Sequence, residues 1–151
     1  MSECIFCDII AGKAPASMVY QDDQVCAFMT IGPINPGHVL IVPTQHFEKL
    51  TDMDEETGAR LFAVTMRVAK ALRRSGLRCE GLNLFLAEGE VAFQSVFHAH
   101  IHIIPRFSGD GFALLVEEKE PPREELDQIA VQLREALEAR GMPENNKAIQ
   151  E

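Results

Sequence analysis

The chain has 151 residues, 46% of them hydrophobic and 25% charged, a composition that is typical of one globular domain and excludes wholesale disorder. Its formal net charge of -9 argues against duplex DNA or an RNA backbone as a partner, because that affinity comes from Lys and Arg side chains that neutralise phosphates. No apolar run is long enough to span a bilayer, and the first residues lack the pattern of a secretory leader, so we expect a cytoplasmic protein with no membrane partner.

Three strands are predicted for the first part of the chain. Residues 18–29 form two runs rich in β-branched and aromatic residues, separated by a turn around residues 21–24. A loop containing two glycines and two prolines covers residues 31–37. The apolar run that follows ends at Pro43, because proline cannot donate to a continuing ladder.

A helix from about Asp54 to Arg74 follows, with Asp52 or Asp54 as its cap and Gly76 just past its end. Its apolar face consists of Leu61, Val64, Thr65, Val68 and Leu72. Residues 81–87 predict a strand, residues 97–103 another, and residues 122–140 a second helix after two prolines. We therefore expect a single α+β domain over residues 1–151, with a core at about 4–107, an antiparallel sheet covered by helices on one face, and a mobile tail at about 142–151.

Three of the five histidines alternate with apolar residues in the stretch "FHAHIHI". On a strand, His98, His100 and His102 would share one face. Phe97, Ala99, Ile101 and Ile103 would form the opposite face, which we expect to be buried. A purely structural strand has no need of three imidazoles on one face, each of which demands hydrogen-bond partners.

Two kinds of chemistry fit this alternation. The imidazoles could bind a metal ion, or one could act as a nucleophile or base that the others orient. A strand rises about 3.3 Å per residue, which places the Cα atoms of His98 and His102 about 13 Å apart, so one ion is not expected to bind all three. A mixed arrangement, with one end of the triad on a metal and its centre free for chemistry, fits this spacing better.

The motif Cys4-x-x-Cys7 at the start of the chain supplies further metal-ligating side chains. Thiolates with imidazoles suit tetrahedral zinc, whereas a redox pair of the same spacing is typical of a βαβ context with a strand before it. No strand precedes this pair, which favours zinc. Cys26 and Cys79 are expected to be reduced thiols without special chemistry.

From His98 to Ile104 the sequence resembles the signature of the histidine-triad (HIT) superfamily of nucleotide hydrolases and transferases. The similarity extends to "CIFCDIIAGKAPASMVYQDD", "PGHVLIVPTQHF" and "QSVFHAHIHIIPRFSGDGF", and is strongest to small bacterial members related to the nucleoside phosphoramidase branch. The resemblance implies a five-stranded HIT-like sheet with two main helices, extended across a homodimer, and a purine nucleotide or nucleotidyl conjugate as ligand.

The resemblance also implies catalytic roles. His100 would attack the α-phosphate and form a covalent nucleotidyl-histidine, from which water releases a nucleoside monophosphate. His102 and the backbone around His98 would hold the His100 imidazole in its working tautomer. Ser95 would donate to a phosphate oxygen or to the leaving group, and Gln94 would help hold the phosphate. A histidine at position 102 favours hydrolysis over transfer.

Metal and nucleotide residues are implied in the same way. Some bacterial members bind a structural zinc ion at the positions of Cys4, Cys7, His46 and His98. The nucleoside pocket would be lined by Ile5, Phe6, Ile9, Phe28 and Ile31. For His38 the resemblance suggests only packing.

Three positions depart from the family pattern. Thr30 stands where relatives have an aspartate for the ribose, a change that could cost about 1.5 to 3 kcal/mol of ligand binding. Ala87 replaces an asparagine near the phosphate, and Phe93 replaces a glycine. These changes suggest a substrate other than adenosine phosphoramidates.

Three hypotheses follow. The first is a hydrolase of nucleoside phosphoramidates or dinucleoside polyphosphates that uses His100. The second is a zinc-containing nucleotide-binding or adaptor protein with little catalysis, motivated by the three departures. The third is a metal-dependent hydrolase whose ion sits on the triad itself.

Overall fold

The computed structural model describes residues 3–139, and the chain divides between Phe112 and Ala113 into two compact units. The first unit contains one five-stranded antiparallel sheet with the order β1-β2-β3-β5-β4. Its strands are β1 (Met18–Gln21), β2 (Val25–Met29), β3 (Val39–Pro43), β4 (Gly81–Phe85) and β5 (Ile101–Arg106). Its helices are α1 (Ile5–Ile10) and α2 (Glu55–Arg74), with short 3-10 turns at Leu50–Asp52 and Glu90–Ala92. The predicted α+β class, sheet and main helices are confirmed.

Strands β2 and β3 are covered on both faces, which explains why they read as continuous apolar runs rather than alternating ones. On one face, α2 packs its buried stripe against the side chains of β2, β3 and β5; this cluster includes Leu61, Val64, Val68, Val25, Ile41 and Ile103. On the other face, Phe6 of α1 packs with Phe28, Leu40 and Val42. The sheet therefore holds α1 on the face opposite α2.

Helix α2 begins and ends close to where the sequence predicts. Of the two candidate caps, Asp54 is the one used, and its carboxylate accepts from the Thr57 backbone N–H at 3.0 Å. Gly76, just past the end, has φ +83°, a conformation that glycine adopts without a steric cost.

Strand β5 begins later than predicted, at Ile101, so only His102 of the three histidines lies within a strand. The ladder with β3 stops at the Ile41–Ile101 pair, because Pro43 ends β3 and has no N–H to donate. Instead, the Ala99 N–H donates to the carbonyl of Phe47 at 2.6 Å. The expectation that Phe97 is buried with the apolar strip is wrong, since 46% of it is exposed.

The second unit contains helix α3 (Arg123–Ala139), which confirms the second predicted helix. Its apolar stripe of Leu126, Ile129, Leu133 and Leu137 is exposed. The predicted tail at 142–151 lies outside the described residues, and the prediction of one domain over the whole chain stays a prediction. Within residues 3–139, no helix has both the length and the apolar character needed to cross a membrane.

Candidate active site and metal site

A cavity of about 980 Å³ opens between α1, the loop after β2 and the histidine segment, by which we mean residues 98–102. Its lining includes His100, His102 and Ser95. Six of the seven residues predicted to bind the nucleotide also line it: Ile5, Phe6, Ile9, Phe28, Thr30 and Ile31. Ala87, the seventh, is buried and is not among the residues that line this cavity.

The ring of His100 is held in one tautomer. Its Nδ1 lies 2.7 Å from the carbonyl oxygen of His98, which can only accept a hydrogen bond. Nδ1 therefore carries the proton, and Nε2 keeps a lone pair. The ring is nearly buried and lies edge-on to Phe6, with the ring centroids 5.0 Å apart. His100 thus combines a fixed ring with an unprotonated nitrogen, as a nucleophile requires.

His102 is oriented by His38, a residue to which the sequence assigned only packing. The Ile34 N–H donates to His38 Nδ1 at 3.0 Å, so the proton of His38 lies on Nε2. That nitrogen donates to His102 Nδ1 at 2.9 Å, which leaves His102 with its own proton on Nε2. The ring centroids of His102 and His100 lie 4.8 Å apart. A backbone N–H thus sets two successive tautomers.

Burial keeps these rings neutral. It lowers the pKa of His100, although the bond to the His98 carbonyl opposes this shift. It also lowers the pKa of His102 to about 4, together with repulsion from His100 and His38. At neutral pH both rings carry one proton each, in agreement with the tautomers that the hydrogen bonds dictate.

The side chain of Gln94, which was predicted to help hold the phosphate, forms hydrogen bonds to the backbone around its own loop. It is buried, and its amide oxygen accepts from the Gly89 N–H at 2.8 Å. Its amide nitrogen donates to the carbonyls of Glu48 and Val96 at 2.7 and 3.2 Å. Gln94 therefore holds together the loop that presents Ser95, and its help in holding a phosphate stays a prediction.

Two of the departing positions have distinctive geometry. The Thr30 hydroxyl already accepts from the Gly32 N–H at 3.2 Å, so part of its bonding capacity is used within its own loop. Phe93 has φ +72°, in the left-handed region, and 83% of it is exposed. A glycine at this position would adopt the same backbone without strain.

A second cluster lies beside the cavity and consists of Cys4, Cys7, His46 and His98, whose ligand atoms all lie within 4.8 Å of one another. Cys4 Sγ is 3.4 Å from His98 Nδ1, and Cys7 Sγ is 3.3 Å from His46 Nδ1. His98 Nε2 donates to the Pro43 carbonyl at 2.8 Å, which leaves Nδ1 unprotonated and available as a ligand. The arrangement could hold one metal ion.

The two other cysteines lie apart from this cluster. Cys26 is fully buried, and that burial, with repulsion from Asp22, raises the pKa of its thiol to about 11. Cys79 donates to the Gly81 carbonyl at 3.3 Å. Both cysteines are free, as expected.

Sequence reasoning missed His38 and α1. His38 could have been found from strand pairing, because Leu40 lies opposite His102 and His38 is two residues from Leu40. Helix α1 has only six residues, too few for a helical repeat to be visible.

The family model described as the HIT domain matches residues 11–109 of the chain. "Protein hit" of Bacillus subtilis (strain 168) is 44% identical over 110 residues, covering 72% of this chain and 75% of that protein. A solved structure from Streptococcus mutans UA159 is similar with a TM-score of 0.85 and 37% identity, covering 91% of this chain and 87% of the other. The chain belongs to the HIT family.

Other similar proteins bear on the two sites. A structure described as a Zn-bound histidine triad family protein, from Mycobacterium smegmatis, has a TM-score of 0.71 and 40% identity over 89% of this chain and 97% of that one. A histidine triad nucleotide-binding protein of Candida albicans has a TM-score of 0.83 and 27% identity, covering 92% and 100%. An adenylylsulfatase of Arabidopsis thaliana is 32% identical over 109 residues, covering 72% of this chain and 55% of that protein.

Proposed function

We propose that this protein hydrolyses nucleoside phosphoramidates or related nucleotidyl conjugates through a covalent intermediate on His100. The observation that carries the proposal is the bond from His100 Nδ1 to the His98 carbonyl. It leaves Nε2 as the nitrogen with a lone pair, in a ring that lines a cavity large enough for a nucleotide. The nucleotide-binding protein of Candida albicans and the adenylylsulfatase of Arabidopsis thaliana support a nucleotidyl substrate.

In the first step His100 Nε2 attacks the α-phosphorus, and the bond between phosphorus and the leaving group breaks. The leaving amine or phosphate departs with that electron pair and takes a proton from solvent through the Ser95 hydroxyl. The imidazole becomes cationic when the new P–N bond forms, and its Nδ1–H then donates more strongly to the His98 carbonyl. The carbonyl therefore stabilises the charged intermediate more than the free ring.

In the second step water attacks phosphorus and releases a proton to solvent, and the P–N bond breaks with its electron pair returning to Nε2. The nucleoside monophosphate leaves and the free imidazole is restored. Among the residues that the structure describes, the cavity lining contains no Lys or Arg, so the phosphoryl charge is met by neutral donors. Ser95 and His102 belong to this lining and can donate from a hydroxyl and from Nε2. Phosphoryl transfer depends chiefly on such positioning and electrostatics.

The second cluster is proposed to hold a structural zinc ion on Cys4, Cys7, His46 and His98. With bonds of about 2.3 Å to sulfur and about 2.05 Å to nitrogen, tetrahedral zinc separates its ligand atoms by roughly 3.3 to 3.8 Å. The distances of 3.2 to 3.6 Å between the histidine nitrogens and their neighbours fit this geometry. Four protein ligands leave no open position, so the ion would support the fold rather than the reaction.

A homodimer whose sheet continues across two copies is also proposed. Strand β4 is at the edge of the sheet and exposes Leu84 and Phe85 by 46% and 42%. An edge strand with exposed apolar side chains is suited to pairing with a second copy. Sedimentation of the wild type and of Leu84→Lys tests this proposal, because the lysine should shift the protein to monomers.

The hydrolase proposal is tested by intact-protein mass spectrometry after rapid mixing with a panel of nucleoside phosphoramidate conjugates that differ in the base. We expect a nucleotidyl adduct on the wild type with at least one of them and none on His100→Ala. A second candidate, a nucleotide-binding protein with little catalysis, is favoured by the engaged hydroxyl of Thr30. Calorimetric binding of AMP without any adduct or turnover would select it and would overturn the hydrolase.

A further inference from the structure

Helix α1 belongs to both sites at once. Cys7 lies in this helix and Cys4 is its N-cap, so two of the four cluster side chains are attached to it. Ile5, Phe6 and Ile9 of the same helix line the cavity. Isolated helices of six residues are not stable in water, so the position of α1 depends on its contacts with the rest of the protein.

Two kinds of contact hold α1 in place. The thiols of Cys4 and Cys7 reach His98 and His46 at 3.4 and 3.3 Å. Phe6 is buried and packs edge-on against Phe28, with ring centroids 5.3 Å apart. A metal ion on the cluster would convert the first kind of contact into coordinate bonds that fix the helix against the histidine segment.

His98 provides a second link between the sites. Its ring belongs to the cluster, and its carbonyl oxygen accepts the 2.7 Å bond from His100 Nδ1. Phe6 lies edge-on to both rings, with centroids 5.9 Å from His98 and 5.0 Å from His100. A shift of His98 therefore changes the position of the His100 ring and the contact between that ring and the pocket wall.

We propose that metal binding at the cluster and nucleotide binding in the cavity are thermodynamically coupled, so that each strengthens the other through α1 and His98. This inference rests on the proposed nucleotide-binding function of the cavity. Without the metal, a nucleotide must order α1 when it binds, and its apparent affinity falls. By linkage, the nucleotide must raise the metal affinity by the same factor.

Isothermal titration tests the coupling in both directions. AMP is titrated into zinc-loaded and chelator-stripped wild type, and zinc is titrated with and without saturating AMP. We expect both affinities to change by the same factor, about tenfold or more. Equal AMP affinity for the loaded and stripped forms overturns the coupling but leaves nucleotide binding intact. No AMP binding to either form overturns the proposed function together with the coupling.

Hydrogen exchange supplies a readout that does not depend on catalysis. Stripping zinc should speed amide exchange in α1 and leave α2 protected, and AMP should slow it again. Exchange that rises equally in α1 and α2 would show that the metal supports the whole fold and would overturn a local coupling. Unfolding of the stripped protein would likewise show that the metal supports the whole fold and would overturn a local coupling, because AMP would then raise the zinc affinity merely by binding the folded state.

Matched cysteine variants complete the test. Cys7→Ser removes a thiol of the cluster and should reproduce the AMP affinity of the stripped protein. Cys79→Ser removes a thiol outside the cluster and should bind zinc and AMP as the wild type does. Cys7→Ser with wild-type AMP affinity would contradict the role of α1.

Discussion

Two neighbouring histidines of the triad, His98 at its start and His100 at its centre, use the same side chain in opposite ways. His98 donates from Nε2 to the Pro43 carbonyl and presents Nδ1 to the two thiols. His100 donates from Nδ1 to the His98 carbonyl and keeps its lone pair on Nε2. Although the two residues are only two positions apart, the His98 ring is suited to a metal ion and the His100 ring to attack on phosphorus. The comparison teaches that the backbone carbonyl each ring contacts, rather than the spacing of the rings, decides its chemistry.

His100→Ala should produce the largest effect, a loss of at least about 1,000-fold in kcat, because the covalent step has no other nucleophile at that position. Zinc content should stay at the wild-type level, since His100 is outside the cluster. Steady-state kinetics and metal analysis of the same preparation check both expectations. Loss of zinc together with activity would mean that the metal cluster at His98 and the reaction site at His100 are not distinct.

Cys7→Ser should disrupt the metal cluster. Removing one of four ligands should weaken zinc binding about 100-fold or more, measured by competition with a chromophoric chelator. The nucleotidyl adduct on His100 should still form at saturating substrate, because no reaction step passes through the metal. A variant that binds zinc normally, or one that forms no adduct at any substrate concentration, contradicts the division between the sites.

His38→Ala should lower kcat about 10-fold to 100-fold with little change in KM, because His102 loses the donor that fixes its tautomer. His38→Gln retains an N–H donor and should recover part of the loss. If both variants lose activity equally, or if KM changes instead of kcat, His38 is a packing residue only.

The pH dependence should follow the neutral His100. Burial lowers its pKa, so Nε2 stays unprotonated below the ordinary histidine value of about 6.5. Activity is therefore expected to persist below that pH and to fall only as Nε2 becomes protonated. Single-turnover rates of adduct formation are measured between pH 4 and pH 8. On the acid side of the profile the rate should fall about tenfold per pH unit. A midpoint above pH 6.5 would contradict a buried, neutral nucleophile.

The smallest effect concerns the loop that leads into the histidines. Phe93→Gly should raise the free energy of unfolding by roughly 0.5 to 1 kcal/mol, because glycine relieves the positive φ and the exposed ring loses no buried contact. Phe93→Ala keeps the strain and removes the ring, so it should leave stability unchanged in a urea titration. Equal effects of both variants would show that the ring, not the backbone, matters.

The strands and α2 were predictable because each is dictated locally, by apolar runs, a proline stop and a capping aspartate. The cluster was predictable only through the family resemblance, since nothing in the spacing of Cys4, Cys7 and His46 places them beside His98. The end of the β3–β5 ladder was not predictable, because the alternation reads the same on a strand and on the extended segment before it. The hydrogen bonds of Gln94 were not predictable either, because they depend on the fold bringing the backbone of Glu48 and Gly89 to one side-chain amide.

The tautomers of His98 and His100 test the central claim most directly. Long-range nitrogen-15 correlation spectra of the imidazoles, taken at neutral pH with zinc bound, report which nitrogen of each ring carries the proton. We predict a protonated Nε2 on His98 and a protonated Nδ1 on His100. The same tautomer on both rings, or a metal-shifted nitrogen on His100, would contradict the account.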